Sequence, residues 1–364
     1  MKALTIGGAM IDTIAVIANE RIERMTMRNA DTAFLLLEEG RKNEAENIST
    51  HCGGGAINAA VALARLGHDV AALVKLGQDA RAETILARLA EEGVSTRYAV
   101  RDGRAPTGAS VLVSAHDRNA AVFTFRGANT LLEANDLKKD AFAADLVYVA
   151  GLSNDSANCF PLIIEQAKAE GALVATNPGI RQLSARQGQF REVVGKIDIL
   201  TVNRVEAGAL VPWLIGRTGE GGAPLADGAS GDLPDLARRG LSGGGFELSL
   251  AAFFRNIHEL GPRWVVITDG RDGAYVSAPS GILHCPAVPV TATGTAGAGD
   301  AFNSTFAAYI AQSASSEDAV RAAAANAASV ILHIDTQTGL LRRNELEAHI
   351  AELAPILKVR HWKA

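Results

Sequence analysis

Residues 294–310 read Gly-Thr-Ala-Gly-Ala-Gly-Asp-Ala-Phe-Asn-Ser-Thr-Phe-Ala-Ala-Tyr-Ile. Phe302, Phe306 and Ile310 recur every four residues, so a helix begins near Asp300 and a run of small residues leads into it. Small residues let the main chain approach a ligand closely. At a helix start the NH groups of Gly297, Ala298 and Gly299 have no intrahelical partner and point outward at the positive end of the dipole, which makes an anion hole. A carboxylate on that first turn, Asp300, is either a dipole-stabilising residue or, beside bound phosphate, the acceptor of a hydroxyl proton.

Outward from this segment, short apolar runs alternate with helical periods. The runs are Ala3 to Ile6, Val70 to Leu76, Leu146 to Ala150, Leu173 to Thr176, Ile197 to Val202 and Trp264 to Thr268. Apolar stretches without polar alternation are the pattern of strands buried on both faces, and intervening helices imply parallel pairing with right-handed crossovers. The spacing predicts helices over Ala56 to Leu66 and Ala80 to Glu92, besides the one at Asp300. The expected fold class is α/β: a doubly wound, mostly parallel sheet flanked by helices in three Rossmann-like layers.

Two segments fall outside that alternation. Residues 14–50 are polar and charged, and residues 107–125 read as a hairpin with a polar turn, so the two are expected to form a small β lid. A third, Gly216 to Gly245, holds ten of the 36 glycines and two prolines, a composition that predicts a mobile surface insertion.

The 364 residues carry 35 basic and 40 acidic side chains, a net charge of −5, so no electrostatic footprint for nucleic acid is visible. Cys52, Cys159 and Cys285 are odd in number and widely spaced, which excludes a disulfide framework and a cysteine zinc site. No 18-residue apolar run and no cleavable leader pattern occurs, so no membrane association and a cytoplasmic location are expected. Neither GxGxxG nor GxxxxGK[ST] is found, which disfavours a dinucleotide oxidoreductase and a P-loop ATPase.

Other motifs carry candidate chemistry. Gly53, Gly54 and Gly55 precede Ala56, Ile57 and Asn58 at another helix start; this is either a hinge or a close approach to a polyhydroxylated ligand, with Asn58 as donor and acceptor. Asn203 and Glu206 follow the strand ending at Val202, where they either hold hydrated magnesium and phosphates or form a capping box. Asp12, after the first strand, either binds sugar hydroxyls or is an ordinary loop aspartate. Thr268, Gly270 and Gly273 close a strand in a turn that suits a nucleotide or a plain hairpin.

Taken in order, these pieces resemble the PfkB/ribokinase family of carbohydrate kinases, from about residue 3 to about residue 340. Gly54, Gly55, Asn58, Gly67 and Gly77 fit the spacing of the family's first signature, and Thr295, Gly297, Ala298, Gly299 and Asp300 fit its second, with an NxxE motif between. The resemblance implies one ribokinase-like kinase domain over 1–364, using ATP and Mg2+ to phosphorylate a hydroxymethyl group of a small sugar. In it Asp300 is the catalytic base and Gly297, Ala298 and Gly299 form the anion hole. Asn203 and Glu206 hold phosphates and Mg2+, Glu206 through water. Asp12, Gly53, Gly54 and Asn58 bind the sugar, with Arg126 and Asn129 reaching the acceptor. Thr268, Gly270, Gly273 and Asn326 lie near ATP. A homodimer through the lid is a further implication.

Two positions depart from the family pattern. Gly294 stands where an aspartate is usual, and that carboxylate helps coordinate an activating monovalent cation, so little or no potassium stimulation is expected. Ala82 replaces a common glycine in the turn after Gly77. A nucleoside kinase and, in another class, a catalytically inactive sugar-binding regulator are the alternative readings.

Overall fold

A computed structural model describes residues 1–17, 23–26, 33–36, 40, 42–115, 120–219, 221–225 and 233–362. Among them a ten-stranded sheet runs, edge to edge, through Arg360–Trp362, Gly281–Cys285, Ala274–Ala278, Trp264–Thr268, Ile199–Asn203, Leu173–Asn177, Leu146–Ala150, Lys2–Gly7, Asp69–Gly77 and Val100–Asp102. The seven strands from Trp264–Thr268 to Val100–Asp102 are parallel, and the three at the other edge are antiparallel. All six apolar runs read from the sequence lie in parallel strands. The expected α/β architecture, a mostly parallel sheet flanked by helices, is present.

Helices Gly55–Arg65, Ala298–Ala311 and Ser316–Val330 pack on one face, where Ile57, Tyr148, Phe306 and Val276 share a core. Phe160–Ala169, Arg204–Thr218 and Leu250–Leu260 cover the other, around Val147, Phe190 and Phe254. Because the strands are parallel, their carboxyl ends lie along one edge of the sheet, and ligands of open α/β sheets gather there. No helix among the described residues is long and apolar enough to cross a membrane. The three cysteines are free and buried; burial pushes Cys285 up to about 12 and Cys52 up to about 11.

The lid is a separate four-stranded sheet in the order Asn47–Gly53, Met10–Ile17, Gly108–Ala115, Ala120–Phe125. Its first piece starts at Met10 rather than residue 14 and ends at Gly53 rather than residue 50. The cause is Gly7, whose φ of 145° turns the chain out of the central sheet directly after the first strand. The hairpin expected at 107–125 forms, with Ser114 opposite Ala120; its turn at 116–119 lies outside the described residues, as do 18–22, 27–32, 37–39 and 41 of the first lid piece.

The glycine-rich stretch is more ordered than its composition predicts. Within 216–245, Leu225, Leu236, Ala237 and Leu241 are buried in the second core, a short helix spans Asp235–Arg239, and Leu241–Gly243 pairs with Phe246–Leu248. Several glycines there serve contact rather than flexibility: a Cβ on Gly243 would run into the Gly208 carbonyl, and one on Gly244 would sit 2.7 Å from Pro212. Residues 220 and 226–232 lie outside the described residues.

Candidate active site

Helix Ala298–Ala311 opens with Gly297 as its N-cap at φ 81°, a left-handed conformation that glycine adopts without strain. Thr336 closes that position, since a Cβ on Gly297 would lie 2.7 Å from the Thr336 Cβ. Gly299 instead faces open space, and Thr295 and Ala296 are exposed. The cradle for an anion is therefore walled on one side and open on the other. Asp300 stands on the first turn of the helix, half-buried beside the cradle.

Asn58 Nδ2 donates to Asp300 Oδ2 at 2.8 Å, while Asn58 Oδ1 accepts from Thr336 Oγ1 at 2.9 Å and from Gln337 Nε2 at 3.2 Å. Asn58 is 2% exposed, and both ends of its amide are engaged by Asp300, Thr336 and Gln337. Gly55 is required behind this pair, because a Cβ there would lie 2.8 Å from the Ala150 Cβ and 3.2 Å from Asp300 Oδ1. Burial raises the Asp300 carboxyl above its ordinary range; the Asn58 hydrogen bond opposes this and the charge of Asp12 adds to it. A carboxylate whose charged form is disfavoured accepts a proton more readily.

Asp12 comes to the site from the lid. It lies between His51 and Ser110 in the lid register and accepts a 2.5 Å hydrogen bond from Ser110 Oγ. Gly53 packs so closely on the Asp12 carboxylate that a side chain there would displace it, and Gly54, at φ 107°, touches the Gly8 and Ala9 backbone. Burial raises the Asp12 carboxyl, against the Ser110 hydrogen bond and the His51 charge. Asp12, Gly53, Gly54, Asn58 and Asp300 thus converge.

The other expected ligands divide. Asn203 and Glu206 form the reciprocal capping box: Asn203 Oδ1 accepts from Glu206 N and Glu206 Oε2 accepts from Asn203 N, both at 2.9 Å. Asn177 Nδ2 also donates to Glu206 Oε2 at 3.1 Å, and Glu206 is 7% exposed. The buried Tyr148 hydroxyl is held well above its usual value first by burial and then by the charge of Asp300, with Glu206 adding to it. Among the described residues no group of three His, Cys, Asp or Glu side chains forms a metal cage. A single carboxylate such as Glu206 fits Mg2+, which keeps several waters and binds largely through phosphates.

Thr268 lies beside Asn203 in the parallel register, but the turn that follows is a hairpin turn, with Asp269 N bonded to Gly273 O and Gly270 and Gly273 both at positive φ. Asn129 and Asn326 are corrections. Asn129 is buried and spends both ends of its amide on the Ala9 backbone, at 2.9 and 2.8 Å, clamping the root of the lid instead of reaching an acceptor. Asn326 is wholly buried, donating to Thr305 Oγ1 and accepting from Leu341 N, so both ends of its amide are spent within the protein. Arg126 donates to Ser153 Oγ at 2.8 Å. The sequence reading missed Thr336 and Gln337, which no motif marks and only the folded loop brings beneath Asn58.

A family model described as pfkB family carbohydrate kinase matches residues 23–221 and 246–343; the gap between the two segments falls within the glycine-rich stretch. Deoxyribokinase of Salmonella typhi is 29% identical over 332 residues, covering 89% of this chain and 94% of that protein. Arabidopsis thaliana ribokinase, solved with ribose and ATP, superposes with a TM-score of 0.71 at 21% identity, covering 96% of this chain and 98% of that one. A putative ribokinase II from E. coli, solved with ATP and Mg2+, superposes with a TM-score of 0.71 at 17% identity over 96% of this chain and 99% of the other.

Proposed function

Because the chain belongs to the pfkB family of carbohydrate kinases, and is thus an ATP-dependent kinase of small sugars, we propose that it transfers phosphate to a hydroxymethyl group with Asp300 as general base. The observation that carries this reading is the Asn58–Asp300 hydrogen bond at the mouth of the anion cradle. Asn58 holds the carboxylate at a fixed orientation, and burial gives it proton affinity. The Gly297, Ala298 and Gly299 amides offset negative charge on the phosphoryl group during transfer. Asp12 and the Gly53–Gly54 backbone orient the acceptor hydroxyls, and the lid that carries Asp12 excludes water. Mg2+, when bound near Glu206, neutralises phosphate charge.

An ADP-release screen over pentoses, hexoses, sugar acids and nucleosides tests the proposal, with ADP expected from a sugar carrying a free hydroxymethyl group. ADP from nucleosides alone would favour a nucleoside kinase, and acceptor binding without ADP a regulator. The proposal extends to monovalent cations. Gly294 brings no carboxylate, and a Cβ on it would lie 3.0 Å from the His333 carbonyl, so potassium should leave the rate unchanged; a several-fold rise over a large organic cation contradicts this.

A further inference from the structure

The Asn58 amide is one link in a chain of hydrogen bonds that begins at an ion cluster near the protein surface. Glu92, which closes helix Ala80–Glu91, has a side chain only 6% exposed and is held by Arg65, whose Nε and Nη2 donate to its two oxygens at 3.0 and 2.6 Å. Glu92 Oε1 also accepts from Arg88 Nη2 at 2.6 Å, which fixes the Arg88 side chain one turn earlier on the helix. Arg88 Nε then donates to Gln337 Oε1 at 3.1 Å, Gln337 Nε2 to Asn58 Oδ1 at 3.2 Å, and Asn58 Nδ2 to Asp300 Oδ2 at 2.8 Å. Arg65 fastens the loop that carries Gln337 to the same cluster, donating to the Gln337 and Leu340 carbonyls at 2.8 and 2.6 Å.

The chain has a direction, and the arginine sets it. A primary amide has an acceptor oxygen at one end and an NH2 donor at the other, and either end can face a neighbour. Guanidinium NH groups only donate, so Arg88 admits the oxygen of Gln337 and turns its nitrogen toward Asn58. That nitrogen admits the Asn58 oxygen, which leaves the Asn58 NH2 for Asp300. Reversed, Asn58 would set a carbonyl oxygen against the carboxylate and an NH2 against an NH2. Gln337 and Asn58 are 3% and 2% exposed, so water does not relieve either mismatch. Thr336 Oγ1, the other group on the Asn58 oxygen, is a hydroxyl that can donate or accept, so it fits both orientations and selects neither.

We infer that Arg88, two amides removed from Asp300, is a positioning residue for the reaction: through Gln337 it selects the orientation of the Asn58 amide and thereby that of the Asp300 carboxylate. This rests on the reading of Asp300 as the general base. The other titratable groups that act on Asp300 are Asp12 from the lid and Tyr148 from the central sheet, and neither belongs to the chain.

The test reads kcat, KM and the acid limb of kcat/KM in Arg88→Met, Gln337→Met and the double variant. Glu92 keeps Arg65 in all three, so its charge stays matched. Each single substitution should lower kcat by about three- to ten-fold, the scale of one hydrogen bond, with KM for sugar and ATP within about two-fold of wild type. Each should also move the acid limb to higher pH, because Asn58 is no longer held as a donor to the charged base. The double variant should do no more than Gln337→Met alone, since Arg88 acts through Gln337. Additive effects, which mark the Arg88 charge acting through space, overturn the inference, as does an acid limb that stays in place while Tm falls; both leave the kinase reading intact. If no sugar yields ADP, the kinase reading fails instead, and a 13C NMR titration of the Asp300 carboxyl in the same variants decides. A rise in both single variants without additivity supports the chain, and a wild-type titration in Gln337→Met refutes it.

Discussion

The Asn58 amide and the Asp300 carboxylate meet at 2.8 Å although 242 residues of chain separate them, which joins the two glycine-rich helix starts into one site. Asn58 stabilises the charged form of Asp300 while burial and Asp12 destabilise it. The base must be ionised to act, so the acid limb of the kcat/KM profile reports its pKa. Asn58→Ala removes a lowering influence and should move that limb to higher pH. Asp12→Asn removes a raising one and should move it to lower pH, alongside a weaker KM for the acceptor. Both shifts are measured in pH–rate profiles, and shifts in the same direction would contradict the electrostatics.

The glycine-rich stretch contributes to stability through its apolar residues. Leu236 is fully enclosed in the second core, so Leu236→Ala should cost about 2–5 kcal/mol in denaturant unfolding. Deleting 216–245 should lower Tm markedly, where a solvated insertion would leave it unchanged.

A buried ionic cluster is a second stability determinant. Lys75 Nζ lies 2.7 Å from Asp136 and 3.1 Å from Asp102 on the inner side of the sheet edge. Replacing Lys75 by Met leaves two carboxylates without that cation and should cost about 3 kcal/mol or more. The Asp102 carboxyl is held well below its ordinary 3.8, first by Arg104 and then, with burial opposing, by Lys75. Its contribution is therefore full above pH 3.8 and is lost as the pH falls further, an acid-unfolding limb that Asp102→Asn should flatten.

The lid face opposite Asp12 exposes several large apolar side chains. Ile48, Val111, Phe123 and Phe125 are exposed on it, Val111 and Phe123 as register partners. We propose that a second copy of the chain covers this face. Sedimentation should give a dimer for wild type and a monomer for Phe123→Asp; a wild-type monomer at micromolar concentration contradicts it.

Much of this was legible in the sequence because the signals were physical. Unalternating runs such as Leu146 to Ala150 became parallel strands, and the Gly297–Asp300 turn became a helix start. Asparagines were the weak point, since an amide reads the same whether its partner is a sugar, as expected for Asn129, or a peptide edge, as found at Ala9. Glycines were ambiguous too. Composition alone does not separate Gly243, which lets two backbones touch, from a glycine in a solvated loop. Thr336 and Gln337 are invisible in sequence because their role depends on a contact across 278 and 279 residues.

The most direct measurement is turnover of Asp300→Asn on whichever sugar wild type phosphorylates. A general base predicts a fall in kcat of about two to four orders of magnitude with acceptor affinity largely kept, and a higher Tm because a half-buried, desolvated carboxylate has been neutralised. A kcat within a few-fold of wild type would contradict the assignment of Asp300 and with it the central claim.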